Sequence, residues 1–253
     1  MKPTFSKKYL PRRYPQHIAI QIDGHRRWAK KHNKTIVESY LIGACNIFNI
    51  ANQCDRMNIK FLTIQCFSCK TLERKEGGYI DTFTALSLFF KNIDCWLGKK
   101  LFKDIKKRIK IKFIGETNLI PVEIRKYITN IEKMTKHNKG LQLNLAIMNG
   151  RRELIYVIKD IAKKVKENKL KIDKINDDEV EKRLFTRGIP DPDLLIPSCF
   201  RPMSDNFLIW QIAFTPIICP KILWPDFTIK DLRKIIFDFK KENKKFVNLY
   251  GYD

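Results

Sequence analysis

Short apolar runs alternate with longer amphipathic segments along this chain. The apolar runs are rich in β-branched residues and predict buried strands at residues 18–22, 61–66, 109–114, 141–148 and 191–196. Helical spacing of apolar positions predicts helices from Trp28 onward and over residues 37–57, 79–105, 122–137, 151–168, 206–214 and 228–242. This alternation is typical of an α/β fold, in which helices cover a mostly parallel central sheet.

The connections between these segments are short, and no flexible linker or internal repeat divides the chain. We therefore predict a single domain over residues 17–245, with a basic arm at residues 1–16 and a tail at residues 246–253. The basic and aromatic residues of the arm suit contact with a membrane surface, and they suit packing on the domain equally well. The Lys-rich residues 163–177 are expected to form a solvated excursion from the surface.

The net positive charge of the chain limits the classes of partner that it is expected to bind. The 253 residues carry 50 basic and 27 acidic side chains, a net charge of +23, which favours nucleic acid, an acidic membrane surface or a phosphorylated substrate. Much of the surplus is Lys mixed with Asn, a habit that biased codon usage also produces. No nucleic-acid module has a recognisable signature, so we expect no nucleic-acid partner. No apolar run is long enough for a membrane span, so any membrane association should be peripheral.

The chain contains seven cysteines, an odd number at irregular spacing, and no secretory signal precedes them. Reduced thiols in a cytoplasmic setting fit this pattern best. Cys66 and Cys69 have the CxxC spacing, but no second pair completes a zinc site. A buried thiol at Cys66 is favoured over a metal or redox role.

The most informative stretch lies where the first strand ends. Asp23 and Gly24 follow the strand, and Arg26 and Arg27 follow them at the start of a helix. Open α/β sheets bind ligands at the carboxyl ends of their strands, and helix starts offer amide donors to phosphate. Asp23 is suited to hold Mg²⁺ while Arg27 clamps a diphosphate. A solvated basic turn is the alternative interpretation, and no Gly-rich phosphate loop occurs elsewhere in the chain.

Several phrases, in consistent order, resemble the signatures of the cis-prenyltransferases, the synthases of undecaprenyl and dolichyl-type diphosphates. Residues 17–30 follow the pattern H-x-A-x-x-x-D-G-N-x-R-[WFY]-A-K, with His25 in place of the Asn. Weaker counterparts of the other signatures stand at residues 67–74, 115–116, 144–154, 191–211 and 223–227. The doubled arginine at Arg26 and Arg27 resembles dolichol-type members from eukaryotes.

The resemblance implies a sheet of about six parallel strands beside a hydrophobic tunnel. It implies condensation of isopentenyl diphosphate with an allylic diphosphate such as farnesyl diphosphate, with Mg²⁺ bound at Asp23. Catalytic roles fall on Asp23, Arg27 and Ser68. Substrate-binding roles fall on Gly24, His25, Arg26, Trp28, Tyr40, Arg74, Arg201 and Ser204. The tunnel wall is assigned to Phe83, Leu86, Phe89 and Phe90, for which an ordinary core is the open alternative.

The chain departs from the family pattern at several positions that have functional roles in the family. Two arginines that bind diphosphate in the family align with Pro197 and Met203, and an Arg and a His of the second helix align with Ile36 and Tyr40. The C-terminal Arg-x-Gly segment of many members is missing. Two hypotheses follow, a divergent catalytic chain and a non-catalytic subunit that stabilises or activates a catalytic partner. The chain is expected to form a homodimer or a heteromer with a second chain of the family, and a tight, active homodimer would rule out the second hypothesis. The expected location is the cytoplasm, peripherally on a membrane, the endoplasmic reticulum if eukaryotic.

Overall fold

Five parallel strands form the central sheet. A computed structural model describes residues 12, 14–147, 150–198, 203–204 and 206–250. The strands are β1 (His17–Ile22), β2 (Phe61–Phe67), β3 (Lys110–Gly115), β4 (Gln142–Ile147) and β5 (Leu194–Ser198). They lie in the order β3-β4-β2-β1-β5, with Ile18 of β1 opposite Leu62 and Leu194 of its neighbours. The predicted parallel α/β sheet is confirmed, with five strands in the described residues where about six were expected.

Helices connect the strands of the sheet. They are α1 (His25–Lys31), α2 (Ile36–Arg56), α3 (Cys69–Leu72), α4 (Tyr79–Lys91), α5 (Ile93–Leu97), α6 (Lys99–Arg108), α7 (Val122–Thr135), α8 (Arg151–Lys166), α9 (Asp177–Glu181) and α10 (Ile229–Tyr250). Short 3₁₀ turns occur at Thr117–Leu119, Ile172–Lys174 and Trp224–Asp226. Within the described residues, no helix combines the length and apolar content that a membrane span needs.

The side chains divide the interior into two layers. Alternate residues of β1 point to opposite faces of the sheet. Ile18 and Ile20 enter the main core with α2 and α4, where Phe48 and Phe89 stack at 5.5 Å. Ala19 enters a smaller cluster that contains Phe207 and Leu208. The two faces together bury most residues of β1, β2, β4 and β5, as expected for a parallel sheet, while four of the six residues of the edge strand β3 are only partly buried.

The long helix predicted over residues 79–105 is wrong, because the chain breaks it twice. Asn92 leaves helical geometry with φ −130° and ends α4, and Gly98 has φ +74° and separates α5 from α6. Glycine adopts positive φ without steric cost, so Gly98 permits the change of direction. Three short helices, α4, α5 and α6, therefore replace the single one.

The helix predicted over residues 206–214 is also wrong, since this stretch forms turns. Asn206 and Leu208 have φ values of +68° and +49°, which exclude a right-handed helix at these residues. The Asn206 side chain accepts a hydrogen bond from the Arg151 amide at 2.9 Å. Phe207 and Leu208 are fully buried. The apolar spacing in this stretch therefore reflects the burial of Phe207 and Leu208 against the sheet and does not indicate a helix.

Side chains and loops cover both edges of the sheet. On β3, the outward amides of Ile111 and Phe113 donate to Thr135 Oγ1 and Glu132 Oε1, at 3.1 and 2.7 Å. On β5, the Leu195 amide donates to the carbonyl of Pro216 at 3.0 Å. Pro197, two residues further along the same edge strand, has no amide hydrogen to donate, and edge strands are where proline is tolerated.

Two outlying parts of the chain are tied to the domain. Tyr14, in the described part of the basic arm, donates its hydroxyl to the Met57 carbonyl at 3.2 Å. Arg183 bonds Asp160 of α8 at 2.8 Å and Glu179 of α9 at 2.6 Å, so it anchors the Lys-rich excursion between these helices. Helix α10 continues to Tyr250, into the residues predicted as a tail.

Candidate active site

A cleft of about 730 Å³ opens at the carboxyl ends of β1 and β2. Its walls come from the ends of these strands, from α1, from the start of α2 and from the chain between α3 and α4. The predicted site residues that line it are Asp23, Gly24, His25, Arg26, Arg27, Tyr40, Ser68 and Arg74. The sheet thus brings together residues that are up to 51 positions apart, as counted from Asp23 to Arg74.

Asp23 is fixed through both its backbone and its side chain. Its amide donates to Ser198 Oγ at 3.2 Å, and its carbonyl accepts from the Trp224 amide at 2.9 Å. One carboxylate oxygen accepts from the Gly24 amide at 2.6 Å, and the other lies 3.1 Å from the Arg27 guanidinium. About half of the carboxylate remains exposed, at 48%. The Asp23 carboxylate is therefore fixed in position, accessible to solvent and adjacent to the Arg27 guanidinium.

Gly24 is required by the turn that follows the strand. Its φ is +96°, and a Cβ at this position would lie only 2.6 Å from Leu223 Cδ2. The Gly24 carbonyl accepts the first hydrogen bond of α1, from the Trp28 amide at 2.8 Å. The glycine thus lets the chain reverse from β1 into α1 and places both arginines at the cleft.

His25 forms a partly buried section of the cleft wall. Its Nδ1 lies 3.1 Å from both the carbonyl and the hydroxyl oxygen of Ser39, and a Cβ on Gly43 would clash with the imidazole. Burial lowers the pKa of His25 from 6.5 to about 4, against smaller opposing contributions from Ser39 and Asp23. His25 is therefore a neutral group near neutral pH.

Tyr40 and the chain between α3 and α4 form the opposite wall. The Tyr40 hydroxyl donates to the Gly77 carbonyl at 2.6 Å, and the Tyr40 ring meets the His25 ring edge-on with centroids 4.8 Å apart. Burial raises the pKa of Tyr40, so its hydroxyl keeps its proton. Arg26 pairs with Glu76 across the mouth of the cleft at 3.7 Å.

The end of β2 contributes polar and apolar groups. Ser68 Oγ lies 3.3 Å from Thr71 Oγ1, and both residues line the cleft. Burial raises the pKa of the Cys66 thiol to about 12, which keeps the thiol protonated. The sequence favoured a buried thiol, whereas Cys66 is only partly buried and lines the cleft. The described residues contain no group of three or more His, Cys, Asp or Glu side chains arranged around a metal position.

The charge of the cleft favours a polyanionic ligand. Five cationic side chains line it, and only two anionic ones oppose them, Asp23 and Glu76. Two of the cations, Lys30 and Lys34, were not predicted. Lys30 follows Arg26 by about one turn of α1, which is a usable signal, whereas Lys34 lies just beyond the end of that helix. Mg²⁺ is commonly held by one or two carboxylates together with substrate phosphates and waters. Asp23 in this basic cleft fits that pattern, and no cage of protein ligands is needed.

Two predicted site residues lie outside the cleft lining, and a third falls outside the described residues. Trp28 is 8% exposed, does not line the cleft, and donates its indole N–H to Asp226 at 2.6 Å, so its observed contacts are packing contacts. Ser204 is not a lining residue, and its carbonyl lies 3.2 Å from the side-chain nitrogen of Gln21, which does line the cleft. Arg201 lies outside the described residues. Sequence reasoning also missed Ser198, whose hydroxyl holds the Asp23 amide.

The candidate tunnel residues lie beside α2 and the sheet. Phe83, Phe89 and Phe90 are buried in the main core, and Leu86 is partly buried against it. Phe83 contacts Phe67, a lining residue of the cleft, with ring centroids 5.7 Å apart. The apolar helix face thus begins where the basic cleft ends.

This chain is similar to known proteins in both sequence and fold. The family model described as putative undecaprenyl diphosphate synthase matches residues 21–247. An isoprenyl transferase from Clostridium perfringens is 35% identical over 92% of this chain and 89% of its own length. A ditrans,polycis-undecaprenyl-diphosphate synthase from Pasteurella multocida, specific for (2E,6E)-farnesyl diphosphate, is 30% identical over 93% of this chain and 96% of its own length.

A solved structure extends the likeness to three dimensions. Lavandulyl diphosphate synthase from Lavandula x intermedia, in complex with dimethylallyl diphosphate, has a TM-score of 0.82 and 29% identity over 90% of this chain and 96% of that chain. The matches of sequence and of fold have one common explanation. The chain belongs to the cis-prenyltransferase family, whose named members here are isoprenyl and undecaprenyl diphosphate synthases.

Proposed function

We propose that this chain elongates a prenyl chain in cis, condensing isopentenyl diphosphate with an allylic diphosphate such as farnesyl diphosphate. The observation that carries the proposal is the Asp23–Arg27 pair at 3.1 Å in a cleft that also presents Arg26 and Arg74. Diphosphates demand concentrated positive charge and a metal ligand, and this cleft supplies both.

In the proposed reaction, the bond between the allylic carbon and its diphosphate oxygen breaks. A carbon–carbon bond to isopentenyl diphosphate forms, and pyrophosphate and a proton are released. Mg²⁺ bound at Asp23 would supply charge neutralisation for the departing diphosphate. Arg27 and Arg74 bind phosphate oxygens and hold the diphosphates in place. The Ser68 hydroxyl and the amides that follow Gly24 offer further hydrogen bonds.

The growing hydrocarbon needs an apolar path away from the cleft. We assign its wall to the α4 face that carries Phe83, Leu86, Phe89 and Phe90, since this face starts at Phe67 beside the cleft. The same four residues equally serve as ordinary core, and the length of the product distinguishes the two roles. A dolichol-type product is proposed on the doubled arginine at Arg26 and Arg27.

The product is a membrane lipid precursor, so we propose that the enzyme works in the cytoplasm, at a membrane surface and without a membrane span. The net charge of +23 suits an anionic surface. We further propose that the chain works as a dimer, either with itself or with a second chain of the same family.

A second candidate function is a non-catalytic subunit that activates a catalytic partner. It is favoured by the departures at Pro197 and Met203, where the family pattern has arginines. Pro197 is a buried residue of β5, and Met203 is exposed, so neither supplies a cation. Each lost charge-assisted bond removes about 1.5–3 kcal/mol of binding free energy.

The purified chain with farnesyl diphosphate, labelled isopentenyl diphosphate and Mg²⁺ tests the proposal, with the lipid product extracted and sized. We expect product that disappears with EDTA and with Asp23→Ala, while thermal unfolding of the variant stays unchanged. Asp173→Ala, at an exposed position far from the cleft residues in sequence, is the matched control and should retain activity. Turnover by Asp23→Ala contradicts the assigned role. Activity that appears only with a co-expressed homologous chain supports the second candidate.

A further inference from the structure

The chain between α3 and α4 carries Arg74 into the cleft and is held at Gly77 by two hydrogen bonds, in addition to the Arg26–Glu76 ion pair. Both main-chain groups of Gly77 are bonded to side chains. Its carbonyl accepts from the Tyr40 hydroxyl at 2.6 Å, and its amide donates to Asp81 Oδ2 at 2.7 Å. Arg74 precedes Gly77 by only three residues, so the anchoring of Gly77 restricts where the guanidinium can lie.

Gly77 is also closely surrounded by the side chains of Tyr40, Arg26 and Ile36, which we call its seat. Its φ is +69°, and a Cβ there would lie 3.2 Å from Tyr40 Oη and 3.3 Å from both Arg26 Cγ and Ile36 Cγ2. Ile36 and Tyr40 are the two α2 positions where this chain departs from the family pattern of Arg and His. The departures are therefore adjacent in space, and together they form the seat of one glycine.

The Tyr40 ring is itself held in place. Its edge-on contact with His25, at 4.8 Å between centroids, backs it from the α1 side. His25 in turn bonds Ser39, the residue before Tyr40 on α2. The hydroxyl is thus aimed by a packed pair of rings, and its proton is engaged by the Gly77 carbonyl.

We propose that Tyr40 is a positioning residue that holds Gly77 and thereby sets Arg74 against the diphosphate. This inference deepens the proposed function and depends on it for its ligand. It replaces a direct substrate contact by Tyr40 with an indirect one, through the main chain of residues 74–77. Ile36 supports the same seat by apolar contact.

The test uses the full chain and removes one hydroxyl, with Tyr40→Phe. Hydrogen exchange of residues 73–78 in the ligand-free protein reports the anchoring without any need for turnover. We expect faster exchange there, and a Kd for inorganic pyrophosphate with Mg²⁺ that rises about 2- to 10-fold, the equivalent of one hydrogen bond. KM for the two diphosphates should rise in parallel with little change in kcat. Tyr156→Phe, on the exposed side of α8, is the matched control and should change none of these values.

A double mutant separates positioning from direct contact. In an Arg74→Ala background, Tyr40→Phe should weaken pyrophosphate binding no further, because the two side chains act through one interaction. An equal loss in both backgrounds overturns the inference, as does unchanged exchange at residues 73–78 or failure of the wild-type chain to bind pyrophosphate. If the exchange and pyrophosphate results hold but no prenyl product forms, even with a co-expressed homologous chain, the anchoring role stands and chain elongation is refuted.

Discussion

The partly buried imidazole of His25 predicts how acid affects the stability of this protein. In the native state, burial lowers the pKa of His25 to about 4, whereas the unfolded chain has the ordinary value of 6.5. Between these values the unfolded state binds a proton that the native state does not, so the free energy of unfolding falls as the pH falls. From about pH 7.5 to about pH 5, linkage gives a loss of about 2 kcal/mol from this one group.

The variant His25→Asn isolates this contribution, since Asn is the residue of the family signature at this position. Urea unfolding followed by circular dichroism at the two pH values gives the four free energies needed. We expect the acid-induced loss in the variant to be about 2 kcal/mol smaller than in the wild type. His17, whose pKa burial also lowers to about 4, is present in both proteins and cancels. His137→Asn, at an exposed position, should leave the acid-induced loss unchanged. An equal loss in wild type and His25→Asn would refute the reasoning.

Two further substitutions test the packing around the site. Gly115→Ala should destabilise the protein by about 3 kcal/mol or more, because its Cβ would lie 1.8 Å from the Ile147 carbonyl oxygen. Gly188→Ala shares a positive φ but meets nothing within 4 Å, so urea unfolding should show a cost of only about 1 kcal/mol. Phe89→Ala should cost about 3–5 kcal/mol through the cavity it leaves. Phe237→Ala, at a position 66% exposed, should shift the thermal midpoint little by comparison.

The part of the candidate site formed by Asp23, Gly24 and the two arginines after them was predictable, because these residues are adjacent in sequence. A β-branched run that ends in Asp23 and Gly24, followed by arginines, identifies the strand end and predicts an anionic ligand. The parallel sheet was predictable for a similar reason, since each strand is a short apolar run between helical segments. Such features depend on periodicity and turn chemistry within a few residues.

The unpredicted features depend on contacts between distant residues. Ser198 supports Asp23 across 175 positions, and Tyr40 reaches Gly77 across 37. Periodicity was also misleading at Asn206, where a helix-like apolar pattern arises because turns bury Phe207 and Leu208 under the sheet. No local signal reports the bond from Asn206 to Arg151 that stabilises these turns.

The covered edges of the sheet have a consequence for how copies of this chain meet. An unpaired edge strand is a template for another strand, and it invites both sheet extension and aggregation. Here Glu132 and Thr135 occupy the outward amides of β3, and Pro216 and Pro197 close β5. A dimer of this protein is therefore expected to form through helix faces and side chains, with two separate sheets. Peptides that mimic a β-strand should therefore not pair with β3 or β5 of this protein.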